Sequence, residues 1–106
     1  MMGMSKKLDI YCERYDRLKQ DLLQNMVLWL QKAFDLAERE DTGENDIEFK
    51  TLEKQIELQI DSLLLIINRI NTMIKQQGLH ELLFKIQMEE ESLTEIRNTL
   101  KQMNVN

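Results

Sequence analysis

The run Leu63-Leu64-Leu65-Ile66-Ile67 sets five large aliphatic side chains in succession. A helical turn takes about 3.6 residues, so five neighbours cover every side of a helix. A segment of this kind is expected to be buried from more than one direction and to act as the central strut of the fold. Outward from it, Phe49, Leu52, Ile56, Ile60, Leu63, Ile67, Ile70 and Ile74 recur every three or four residues, the spacing of one helix face. Leu64 flanks that stripe on one side, and Ile66 and Met73 on the other. The pattern predicts a long second helix over about 46–77.

Both ends of this helix carry signals. Asn45-Asp46-Ile47-Glu48 has the form of a capping box: the Asn45 side chain accepts from a backbone N–H one turn in, and Glu48 reaches back to the N–H of Asn45. Asp46 adds negative charge where the helix dipole favours it. At the far end Gly78 is expected to take the left-handed conformation of a C-terminal cap, with Leu79 against Ile74 and Lys75 in the last turn.

Two further helices flank the strut. Over 5–39, Leu8, Tyr11, Tyr15, Leu18, Leu22, Met26, Trp29, Ala33 and Leu36 form one apolar row, and Leu23, Val27, Leu30 and Phe34 form a second beside it. A face that wide calls for two neighbouring helices, and Leu28 falls outside it. Over 79–103, the stripe is Leu79, Leu82, Ile86, Leu93, Ile96, Leu100 and Met103. Glu89 and Glu90 interrupt it. Buried carboxylates are costly without a partner, so their methylenes are expected at the bundle edge with the charges in water. The prediction is an all-α fold: an elongated antiparallel three-helix bundle, up-down-up, with coiled-coil-like packing. It is a single domain over 5–103, with 1–4 as a disordered start or tag remnant and 104–106 as a frayed tail.

Composition narrows the function. The 106 residues include no proline and three glycines, and the formal charge is -5. A nucleic-acid binder needs a basic face; here Lys6, Lys7, Arg14, Arg17 and Lys19 are interleaved with acidic residues and read as a solvated face. No apolar run approaches the roughly 20 residues of a membrane span. Cys12, the single cysteine, suits a reducing compartment and reads as a packed thiol, which makes the cytoplasm the expected location. His80 stands without a second histidine or cysteine nearby, and Asp41-Thr42-Gly43-Glu44-Asn45-Asp46 places its glycine third where a calcium loop needs it sixth. Glu89-Glu90-Glu91 points three carboxylates to different helix faces, unlike an acid–base pair. No catalytic, metal or cofactor site is expected, and no small-molecule substrate.

One stretch resembles a known family. Trp29-Leu30, then Ala33, Leu36 and Ala37, then Glu40-Asp41-Thr42-Gly43, then Phe49, Leu52 and Ile56 are similar to the first helix, connecting loop and early second helix of a spectrin repeat. The resemblance is best over 15–75, and it implies a three-helix fold with Trp29 in the core and a binding or spacer role. Ile56 stands where the family often has histidine, Leu93 where a second tryptophan is frequent, and the turn at Gly78 comes early. Helix one extends upstream of Tyr15, as a linker helix does in a fragment of a longer protein.

The expected function is therefore that of a non-enzymatic helical interaction or scaffold module, for which the resemblance implies a cytoskeletal link. Its partners are expected to be other helical proteins or a second copy of itself. Leu28, Leu58, Leu65, Phe84 and Met88 project away from the core stripes and are the candidate contacts. Two alternatives share the composition: a small export or assembly chaperone holding an amphipathic helix in a groove, and a subunit of an obligate helical complex.

Overall fold

A computed structural model describes residues 2–105, with side chains described for 6–79 and 82–102. The readings of the His80 and Met103 side chains, and of Met1 and Asn106, lie outside the described residues. The chain folds as three helices, α1 (Met2–Glu38), α2 (Ile47–Gln77) and α3 (His80–Val105). They form an elongated bundle of 57 × 20 × 16 Å. Cross-helix side-chain pairs fix the directions. Arg69 meets Tyr11 near one end of α1 and Lys32 meets Glu48 near the other, so α1 and α2 run antiparallel. Asn71 meets Glu90 while Arg97 meets Asp61, so α2 and α3 do the same.

The buried positions show why α2 is central. On α2 they are Phe49, Glu53, Ile56, Ile60, Leu63, Ile67, Ile70 and Ile74, with steps of four and three in strict alternation. That is a heptad repeat with both seam positions filled, the pattern that keeps one face turned inward along a long helix. On α1, Leu8, Tyr15, Leu22 and Leu36 are buried at multiples of seven, and on α3 Leu93 and Leu100 are buried seven apart. The outer helices thus bury at most one residue per heptad, Trp29 being half-buried, against two from α2. Both outer helices pack on α2, but among the described residues no Cα of α1 lies within 8 Å of one of α3.

The central run is buried on one side only. Leu63 and Ile67 are completely covered, Leu64 and Ile66 are half-buried, and Leu65 faces water. Within the stripe Glu53 takes the inward place and Leu52 is half-buried, because the strict heptad steps from Phe49 to Ile56 through position 53. The cap also differs from expectation. Asp46, not Asn45, is the N-cap residue, its carboxylate accepting from the N–H of Phe49 at 3.0 Å. Glu48 instead meets Lys32 at 3.3 Å, and Lys32 also stands 3.4 Å from Asp46, which ties the end of α1 to the start of α2.

The loops are short and specified. Gly43 is buried at φ +81, and a Cβ there would lie 2.7 Å from the Phe49 ring and 3.1 Å from Leu36. The first connection is thus packed between the two helices that it joins. Gly78 has φ +71, with the N–H of Leu79 donating to the Ile74 carbonyl at 3.0 Å, the expected left-handed cap.

Start and end of α3 differ. Leu93 and Leu100 are buried and Ile96 packs against the core, while Leu79 and Leu82 are exposed and Leu83 packs against the core in their stead. The stripe read from Leu79 and Leu82 is therefore displaced by one residue at the start of α3.

Candidate functional site

The most distinctive surface lies where α1 and α3 face each other across α2. One latch joins them: Glu89 accepts from the Tyr15 hydroxyl at 2.6 Å and from the Lys19 ammonium at 2.8 and 2.9 Å. This corrects the expectation that the Glu89 charge stays in water; Glu90, whose exposed pairing is with Asn71, keeps to it. Burial pushes the Glu89 carboxyl up, but the bonds from Lys19 and Tyr15 outweigh it and hold the group below its ordinary value. Tyr15 moves upward, first through burial and then through the Glu89 carboxylate. Burial likewise pushes the Cys12 thiol up, so it favours the unreactive protonated form.

Beyond the latch the seam opens into a groove. One part, of about 340 Å³, is lined by Met26 and Trp29 from α1, Ile56 from α2, and Ile96 and Leu100 from α3. A second part, of about 330 Å³, continues it and includes Leu23, Leu93 and Met88. Met26 and Ile96 line both. The Trp29 ring stacks on Phe49 with centroids 5.6 Å apart and planes 18° from parallel, which turns the indole inward. Its Nε1–H is buried with no hydrogen-bond partner. A buried donor without a partner is costly to the free chain.

The second apolar row of α1 starts at this groove with Leu23, and Val27, Leu30 and Phe34 continue it along the same helix face, beside Met26. Leu23 and Val27 are about half exposed, Leu30 nearly so, and Phe34 is 69% exposed. The expectation that a second neighbouring helix of the same chain covers this row is overturned. The side chains of α1 and α3 meet at the Glu89 latch, but no described Cα of α3 comes within 8 Å of one of α1, and the row stays exposed.

The sequence-derived candidates Leu28, Leu58, Leu65, Phe84 and Met88 are all more than half exposed or at half exposure. They do not form one surface. Leu28 sits on α1 outside both rows, and Leu58 and Leu65 are on α2, with Leu65 lining a shallow recess beside Arg97 and Glu90 of α3. Met88 is the member that lines the α1–α3 groove, opposite Leu23, and Phe84 lies one turn before it. Sequence reasoning left out Leu23, Val27, Leu30 and Phe34 because it assigned them to the interior. The signal was present in their own heptad spacing, distinct from that of the buried row.

Glu53 is the other polar group set deep in the bundle. It is 3% exposed, its Oε1 has no hydrogen-bond partner, and the Lys50 ammonium stands 3.8 Å away. Burial pushes its carboxyl up. No cluster of three or more histidine, cysteine or acidic side chains able to hold a metal occurs among the described residues.

The fold and surface define a class, an elongated three-helix bundle with an open seam between its outer helices. The chain matches no protein-family model, and no curated protein or solved structure shows significant similarity to it. No helix among the described residues is long and apolar enough to cross a membrane.

Proposed function

We propose that this chain is a non-enzymatic helical interaction module that docks another amphipathic helix along the exposed row of α1 and the groove between α1 and α3. The observation that carries this reading is the exposed row Leu23, Val27, Leu30 and Phe34, whose four-three-four spacing is that of a coiled-coil seam. Seated there, a helix removes apolar surface from water at about 25 cal/mol per Å². The inward Trp29 stack and the glycine-bearing loop after α1 support the finer, spectrin-repeat-like reading and with it a scaffold role in the cytoplasm.

A groove open in the free chain also favours the chaperone reading, in which the docked helix is a client held for export or assembly. The two differ in what occupies the surface and not in where it is.

The test is to pan a displayed library of amphipathic helices on the immobilised chain. Recovered helices are expected to carry heptad-spaced apolar residues, and to lose binding when Val27→Glu is introduced but not when Leu58→Glu is introduced on the outer face of α2. Binders indifferent to Val27→Glu would remove the α1–α3 surface from consideration.

A further inference from the structure

The exposed row of α1 is symmetric in its own spacing, and this bears on what covers it. Leu23, Val27, Leu30 and Phe34 are separated by four, three and four residues, so the row reads the same in either direction. Two such rows laid antiparallel about a two-fold axis between Val27 and Leu30 bring Leu23 opposite Phe34 and Val27 opposite Leu30 of the other copy. A self-complementary patch of this kind is the requirement of an isologous contact, in which each residue meets its counterpart twice over.

The charges beside the row agree with the same axis. In an antiparallel helix pair with this spacing, the residues that follow the Leu23 and Leu30 positions of the heptad face their equivalents on the second helix. These are Gln24 and Gln31 and, one heptad further out on either side, Arg17 and Glu38. The axis that pairs the apolar side chains sets Gln24 against Gln31 of the second copy, amide to amide. It sets Arg17 against Glu38, cation to anion, at both ends. A parallel pairing would instead set Arg17 against Arg17 and Glu38 against Glu38. The Arg17 side chain is 76% exposed, and among the described residues its ion pair is the weak 3.8 Å one with Glu13, so its guanidinium can reach outward.

We infer that the partner helix is α1 of a second copy of this chain, and that the protein forms a two-fold symmetric dimer through an antiparallel α1–α1 contact centred between Val27 and Leu30. The inference rests on reading the α1–α3 surface as a helix-docking site and names its occupant. Phe34 of the second copy falls opposite Leu23, on the side where Met88 stands, a favourable neighbour for an aromatic ring.

Sedimentation equilibrium of the whole chain from micromolar to millimolar tests this, together with two charge-reversed variants. The wild type is expected to be a dimer in reversible exchange with monomer. Arg17→Glu alone and Glu38→Arg alone are each expected to weaken the dimer about tenfold, since each sets like charges together at both ends. An equimolar mixture of the two variants restores opposite charges at both ends and is expected to return the affinity to the wild-type range. A local folding defect in either variant would not be repaired by mixing, so restoration is specific to the pairing.

A chain that stays monomeric throughout, or variants whose mixture is no tighter than either alone, would overturn the second-copy assignment. A monomer that still selects heptad helices sensitive to Val27→Glu separates this failure from that of the docking surface itself. Selection of no such helix by a monomeric chain overturns both.

Discussion

At the scale of single residues, the two interior glycines have different reasons to be there. Both take a left-handed φ, +81 at Gly43 and +71 at Gly78, which costs other residues about 1–2 kcal/mol. Only Gly43 is also enclosed, with Phe49 and Leu36 within reach of any added Cβ. Gly78→Ala is expected to cost about 1 kcal/mol and Gly43→Ala about 3 kcal/mol, the difference being overpacking against the Phe49 ring. Chemical denaturation of both variants checks the order. Glu53 makes the opposite prediction. Its folded carboxyl is raised by burial, so the folded chain holds a proton that the unfolded chain releases, and stability falls as pH rises through that window. Glu53→Leu is expected to stabilise the bundle by about 1–2 kcal/mol at neutral pH. The gain should shrink toward the acid side, where the wild-type carboxyl is neutral; a gain independent of pH would show that the carboxylate charge is not the cost.

At the scale of helices, the latch on Glu89 works in the other sense. Burial opposes its charge, but Lys19 and Tyr15 prevail and lower the folded value, so its stabilisation is present above the ordinary carboxylate range and lost as pH falls through the folded value. Glu89→Gln is expected to cost about 1 kcal/mol at neutral pH and to converge on the wild type in acid, as read by thermal melts at several pH values. The position of α2 was legible from sequence because its aliphatics repeat with one period from Ile56 to Ile74 and end at a glycine. The two rows of α1 were equally legible as rows. Which of them the chain covers was not, because periodicity says how side chains share a face and not how closely a third helix approaches. Glu89 and Leu82 were misread for a related reason. Periodicity alone does not decide these positions of α3: Tyr15 and Lys19 of α1 draw Glu89 in, and at the start of the helix Leu83 takes the inward place instead of Leu82.

At the scale of the molecule, a monomer is a rod of 57 Å. Pairing about the axis between Val27 and Leu30 displaces two such rods along each other, to a length of about 80 Å at 1.5 Å per residue. Small-angle scattering on the dilute and the concentrated protein is expected to show that growth, whereas side-by-side pairing in full register would leave the maximum dimension near that of one rod. The architecture was readable because three long amphipathic segments without proline have few ways to bury their stripes. The docking surface was readable only in its parts, since it consists of what the fold leaves uncovered.

That α1 and α3, among the described residues, make no close backbone approach also bears on the order of events in time. Both outer helices pack on α2 along Ile56 to Ile74, so folding is expected to begin where that stretch becomes helical. Native-state amide exchange is expected to be slowest there and faster in α1 and α3; equal protection in all three helices would remove this order.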